Sequence, residues 1–456
     1  EGTPTSGANS HEVLVGTANR DYLHMRGGDD TAYGEEGDDS IFGDAGNDRL
    51  YGGDGADTID SGDGADLVDG GAGDDTIFGY GSGTEIGGFD QLIGGDGNDT
   101  IWGGEGIDKL SGGAGDDVIY GEGNTDPFTH GGDGNDYIDG GSSGDLLYGD
   151  SGDDLILGDA DQDLSAGGDG DDIILPGKPS QAIGGGPDEV LGGDGFTDTG
   201  FDLIDFSDYD ASPTGIVADM ATQANPLVAV DGTTPFPAWT QMEGVVGTRN
   251  NDDIRGEDPN GANIAGHNWL IGGSGNDTLR GNGGNDVLIG GSIRLDSLIG
   301  TYSNPYTSYD AYTGASHRTT GPLGTNGLLD AADTSTFAKH FQEFLKTGDT
   351  NFKDHVLGDG GADTGNVDVA VFAGDRADYD ITQILFTDAL GTPITAYKVA
   401  GVSGVGLADG TDLAVRVEIL RFADQDVYVG PVPATGQPVI VDSNGGTPAE
   451  TQVLTV

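Results

Sequence analysis

The chain contains no cysteine, which removes disulfides, thiol redox motifs and thiolate metal sites and leaves hard oxygen ligands as the available metal chemistry. Lysine and arginine together number only 17 among 456 residues. Nucleic acid is therefore not expected as a partner, because its phosphates are neutralised by basic side chains. No run of about eighteen apolar residues occurs, so no membrane-spanning helix is expected. No G-x-x-x-x-G-K-[ST] phosphate loop is present. His11-Glu12 opens like a zinc-protease H-E-x-x-H, but Val15 stands where the second histidine must be. Asp159 to Asp163 imitates the start of an EF-hand, yet Leu164 replaces the turn glycine and Gly170 the bidentate glutamate.

What the chain has instead is 88 glycines and 80 Asp plus Glu, for a formal net charge of -63. Ordinary glycine usage is about 7%. Charge of one sign on this scale opposes a compact state by self-repulsion. Such a chain is either disordered or held folded by something cationic. It begins at Glu1 without Met or a leader pattern and is read as a segment of a longer protein, with other domains of that chain among its expected partners.

A period of nine residues organises the first part. Aspartates recur at Asp21, Asp30, Asp39, Asp48, Asp57, Asp66 and Asp75, resume at Asp90, Asp99, Asp108, Asp117 and Asp126, and slip by one to Asp136, Asp145, Asp154, Asp163 and Asp172. Two positions after each stands a candidate core residue, and 14 of the 17 are Leu, Ile or Val; the exceptions are Ala32, Phe128 and Ser165. A unit such as Gly52-Gly53-Asp54-Gly55-Ala56-Asp57-Thr58-Ile59-Asp60 divides into six loop residues and a three-residue strand. Strand alternation turns Ile59 inward and its neighbours outward. Two units make an eighteen-residue coil with one strand on each side. Stacked coils then carry Asp39, Asp57 and Asp75 along one edge and Asp30, Asp48 and Asp66 along the other, with successive coils roughly 4.8 Å apart.

Carboxylates stacked so closely cannot all stay ionised without a counter-charge. A cation between coils, with loop carbonyls completing about six to eight oxygens, resolves the conflict and suits Ca²⁺ better than Mg²⁺, which demands stricter octahedral geometry. One ion per repeat gives about twenty ions, or about forty positive charges. These seventeen aspartates are accordingly the candidate metal ligands, together with Asp188, and with Asp252, Asp277, Asp286 and Asp296 in a second, shorter run.

The pattern G-G-x-G-x-D-x-U-x over Gly16 to Leu175, returning over Gly247 to Ile299, resembles the haemolysin-type or RTX nonapeptide repeat, whose parallel β-roll binds calcium. The resemblance implies a protein exported unfolded by type I secretion that folds on extracellular calcium. The fold class expected is all-β: a parallel β-roll solenoid with a β-rich C-terminal cap and one short helical insertion. Interruptions at residues 80–85, at His130 and at 176–184 are expected to break the ion files.

The remaining segments divide as follows. Residues 12–210 form the main roll with a capping turn, and 211–243 a connecting segment. A second short roll is expected over 244–300, where Asn268 replaces one ligand aspartate. Residues 301–357 form an insertion with a helix over 334–347, where Phe337, Phe341, Phe344 and Leu345 share one face. Strands expected at 367–372, 379–386, 394–399 and 413–429 make residues 358–430 an antiparallel cap. Residues 431–456 read as a linker, and their end resembles the opening strand of an Ig-like bacterial surface repeat. Gly290 to Asp296 and Asp359 to Asp380 are similar to segments accompanying secreted bacterial animal-type haem peroxidases, including manganese-oxidising ones. Three functions follow as expectations: a secreted calcium-dependent structural module, the calcium-binding part of such a peroxidase, or an adhesin or surface-layer stalk with a cell-surface partner.

Overall fold

The computed structural model describes residues 5–6, 11–79, 88–158, 161–170, 172–176, 189–193, 202–206, 215–220, 238–240, 242–248, 250–256, 268–273, 275–283, 286–291, 368–387, 393–403 and 411–429. The expected helix, Asp188 and Asp296 lie outside the described residues. The chain divides into two compact units, Glu1–Asp202 and Leu203–Val456.

In the first unit the nine-residue units alternate between two parallel sheets. One receives Tyr22–His24, Ser40–Phe42, Thr58–Asp60 and Thr76–Phe78, paired with an eighteen-residue offset such as Ile59↔Ile77. The other receives Thr31–Glu36, Arg49–Asp54 and Leu67–Ala72, again at eighteen, as in Leu50↔Val68. These three strands of the second sheet are six residues long, because the segment after the core residue keeps pairing with its equivalent in the next coil, Gly53 lying opposite Gly71. Both glycines are left-handed, with φ of 118° and 114°. A side chain at either position would be strained.

The interior holds one residue per strand. Leu23, Ile41, Ile59, Ile77, Ile101 and Ile119 stack in one file and Ala32, Leu50, Val68, Leu92 and Leu110 in the other, essentially without exposure. Ala32 and Ser165, the small candidates, are buried as well. The interruption at 80–85 does not break the roll: Ile77 pairs with Ile101 and Val68 with Leu92, the register simply advancing by 24 residues.

The one-residue slip is placed differently from the sequence expectation. Thr129, not Phe128, is the buried residue opposite Leu110 and Leu147, and Phe128 is 46% exposed. His130 sits in ordinary register with Ser111 and Tyr148. The cause is Pro127. In other repeats the residue after the aspartate donates its N–H to the previous coil, as Lys109 does to the Asp90 carbonyl. Proline has no such donor, so the chain bulges by one residue before resuming.

The second unit is also a parallel roll. Gly244–Val246, Trp269–Ile271 and Val287–Ile289 pair in one sheet, and Val217–Asp219, Asp253–Arg255 and Thr278–Arg280 in the other. The region read as an antiparallel cap is mixed. Tyr379–Thr387 and Pro393–Gly401 do form an antiparallel hairpin. Val369–Val371, however, continues one sheet in parallel beside Thr278–Arg280, and Thr411–Val415 continues the other beside Val287–Ile289. Ile419–Arg421 follows Val369–Val371 in parallel and closes antiparallel on Asp426–Tyr428. A short 3₁₀ turn spans Arg376–Asp378, and among the described residues no helix is long and apolar enough to cross a membrane.

Candidate metal centre

Each aspartate of the period ends a loop just before a strand, so its side chain is held against the preceding coil by the strand pairing. Its Oδ1 accepts the N–H of the aspartate one coil earlier. Asp21 N–H donates to Asp39 Oδ1 at 2.6 Å, Asp39 to Asp57 at 2.7 Å and Asp57 to Asp75 at 2.7 Å. The second file runs Asp30 to Asp48, Asp48 to Asp66 and Asp66 to Asp90, each at 2.7 Å. Asp75 donates to Asp99 across the interruption, also at 2.7 Å, so the files expected to break there are continuous. They continue through Asp108, Asp117, Asp126, Asp136, Asp145, Asp154, Asp163 and Asp172.

The other oxygen is where the chemistry lies. Oδ2 of Asp30, Asp39, Asp48, Asp57, Asp75, Asp99, Asp108, Asp117, Asp126, Asp136, Asp145 and Asp154 is buried and accepts no hydrogen bond. A buried anionic oxygen without a donor is costly. Beside each except Asp30, whose loop carries Met25 at that position, lies a space kept open by glycine. A methyl group on Gly52 would overlap Asp57 Oδ2 and the Gly70 carbonyl oxygen; on Gly94 it would overlap Asp99 Oδ2 and the Gly112 carbonyl, and on Gly131 Asp136 Oδ2 and the Gly149 carbonyl. A carboxylate oxygen of one coil and a carbonyl oxygen of the next thus converge repeatedly on ground that only glycine leaves free. Hard oxygens in this arrangement fit Ca²⁺, which is bound at about 2.3–2.6 Å by carboxylates and carbonyls together. Among the described residues no three His, Cys, Asp or Glu side chains converge as a metal-binding group. Gly52→Ala is expected to lower calcium content by one or two ions and to destabilise the coil holding Asp57, measured by ion counting and thermal unfolding.

Electrostatics agree with the geometry. Without a cation, burial raises Asp75 to about 8, and the neighbouring Asp57 and Asp99 carboxylates add to the shift against the opposing N–H of Asp57. Asp117 and Asp126 are pushed up to about 9, first by burial and then by like charges of adjacent coils. Asp66, Asp136 and Asp145 rise to about 7 for the same leading reason. These groups resist ionisation in the metal-free fold, which is the condition a divalent ion relieves.

An outer file accompanies the inner one. Asn98 N–H donates to Asp74 Oδ1, Asp116 to Asn98, Asn135 to Asp116 and Asp153 to Asn135, at 2.7–2.9 Å. Asp and Asn alternate along it, so neighbouring side chains are not both charged. The residues before each period aspartate were not singled out from the sequence, although the D-D and N-D pairs were visible signals.

In the second unit Asp252 N–H donates to Asp277 Oδ1 and Asp277 to Asp368, while Asn268 donates to Asp286 and Asp286 to Asp412. Asp368 N–H ends one file on Glu418 Oε2. In the first unit Asp172 donates to Asp202. Asp202, Asp368 and Asp412 were missed, although each is followed two positions later by an apolar residue, Ile204, Ala370 and Ala414. Asp21 and Asp252 differ from the other candidates. Their Oδ2 atoms are engaged by the N–H groups of Thr17 and Thr248, at 2.5 Å and 2.8 Å. Burial still raises Asp252 to about 7, opposed by the N–H groups of Ile216 and Thr248.

Residues 6–41, 26–59, 51–82, 87–110, 93–126, 130–165 and 264–292 match the RTX calcium-binding nonapeptide repeat. No curated protein matches the chain. Asp368 and Asp412 lie outside the matched segments, yet hang on the same aspartate files as Asp277 and Asp286.

Proposed function

We propose that this chain, which carries RTX calcium-binding nonapeptide repeats in multiple copies, is a structural module of a secreted protein, exported unfolded and made rigid by extracellular calcium. The observation that carries the reading is the file of buried, donor-free Oδ2 atoms, which from Asp39 to Asp154 face a carbonyl of the next coil beside a glycine. The acids facing those spaces in the inner files, including Asp39, Asp57, Asp75, Asp99, Asp117, Asp136 and Asp154, are the ligands. A chain with a net charge of -63 and 88 glycines is too polar and too self-repelling to stay compact without counter-ions. That property supports passage in an unfolded state where calcium is scarce and folding where it is abundant, since extracellular calcium modules work at roughly 10⁻⁴–10⁻³ M.

Asp99→Ala tests the assignment. It is expected to remove one or two ions while distant coils keep theirs, because a solenoid is coupled chiefly between neighbours. Equilibrium dialysis with ⁴⁵Ca against the unaltered chain reads the count. An unchanged count would remove Asp99 from the ligands.

A further inference from the structure

Two loops depart from the glycine-rich pattern in the same way. Residues 16–21 read Gly-Thr-Ala-Asn-Arg-Asp and residues 247–252 read Gly-Thr-Arg-Asn-Asn-Asp, a shared G-T-x-N-x-D. In the interior repeats the position four before the aspartate is usually glycine with a left-handed backbone, as at Gly53 and Gly71, with φ of 118° and 114°. Here it is threonine. A β-branched residue is excluded from that conformation by its own side chain, and neither Thr17 nor Thr248 is among the residues with positive φ.

The different turn aims the threonine at its own aspartate. Thr17 donates its N–H to Asp21 Oδ2 at 2.5 Å and its hydroxyl to the same oxygen at 2.9 Å. Thr248 donates its N–H to Asp252 Oδ2 at 2.8 Å, and its Oγ1 lies 3.0 Å and 3.2 Å from the two carboxylate oxygens. Asp252 Oδ1 also accepts the N–H of Ile216 at 2.6 Å. The asparagine of the motif supports the threonine: Asn19 Nδ2 lies 3.5 Å from Thr17 Oγ1, and Asn250 donates its N–H to Thr248 Oγ1 at 3.0 Å. Thr248 and both aspartates are buried. At both loops the same oxygen also lies beside a glycine, Gly16 or Gly247, and a carbonyl of the next coil, but here it is satisfied by two donors of the same loop, much as a helix N-cap satisfies orphan groups from within the chain.

We propose that the G-T-x-N-x-D loops at 16–21 and 247–252 are metal-free turns, in which threonine takes the place of calcium, so that Asp21 and Asp252 belong to the aspartate files without being calcium ligands. The proposal rests on the calcium reading of the interior repeats. It makes each of these two loops a turn whose geometry is set by the chain alone, among coils that depend on calcium.

The test is the number of ions bound by the full-length chain, by ⁴⁵Ca equilibrium dialysis, in Asp21→Asn, Asp252→Asn and Asp57→Asn. The expected result is an unchanged count in the first two and a loss of one or two ions in the third. Loss of an ion from Asp21→Asn and Asp252→Asn as well would overturn the proposal and leave the calcium reading standing. An unchanged count in all three would overturn the calcium reading and the proposal with it. Thr17→Val and Thr248→Val keep the amide donor and delete the hydroxyl, so they serve if an asparagine variant does not fold. They are expected to shift the calcium midpoint of folding upward while the saturated ion count stays the same, and a reduced count would overturn the proposal.

Discussion

Ile101→Asp is expected to open one coil of the first roll. Ile101 is fully buried and stacked between Ile77 and Ile119, with no donor or cation inside the file to meet a new carboxylate. Loss of a buried isoleucine costs about 2–5 kcal/mol, and the added buried carboxylate, ionised or forced neutral, costs roughly 2–7 kcal/mol more. The defect should stay local, since each coil packs only on its neighbours. Calcium bound beside Asp99 and Asp117 should be lost and the backbone near residue 100 become protease-sensitive, while coils around Asp39 and Asp154 persist. Limited proteolysis with mass spectrometry reads this directly. Ile101→Val, which removes one methylene, should cost only about 0.5–1.5 kcal/mol.

The second large effect is on pH dependence, which should differ with and without calcium. In the metal-free fold Asp39, Asp48, Asp99 and Asp108 are raised to about 6, Asp75 and Asp90 to about 8, and Asp117 and Asp126 to about 9, burial being the leading cause in each. Unfolded aspartate titrates near 3.9. Between those values the folded chain binds more protons than the unfolded one, so metal-free stability falls as pH rises. The penalty is absent below about pH 4 and complete only above the folded values. Metal-stripped protein should therefore gain sheet signal as pH falls from 9 towards 4. Calcium-loaded protein should behave oppositely and release ions as protons compete for the same oxygens. Circular dichroism at a series of pH values with and without calcium measures both. Greater metal-free structure at pH 9 than at pH 5 would contradict the assignment.

Both effects depend on features that were legible in the sequence because they repeat within nine residues. The inward file from Leu23 to Ile174 and the two aspartate edges need only the local alternation of a strand and the return of the chain after eighteen residues. What was not legible depends on longer returns or on one special residue. Asp277 N–H reaches Asp368 over 91 residues and Asp286 reaches Asp412 over 126. No spacing rule links such residues, so strands that extend the second roll read as a separate antiparallel cap. The shift from Phe128 to Thr129 turns on the missing N–H of Pro127, a single donor that a period search does not weigh. Asp21 and Asp252 carry the period yet have their oxygens taken by Thr17 and Thr248, a difference that lies four residues from the aspartate itself.

The central claim is that divalent ions among the Oδ2 files make this polyanion a folded object. A calcium titration of metal-stripped protein at neutral pH, followed by far-ultraviolet circular dichroism, tests it most directly. The account predicts little sheet signal in chelator and a cooperative rise as calcium is added. A sheet spectrum already complete in chelator, unchanged by calcium, would contradict it.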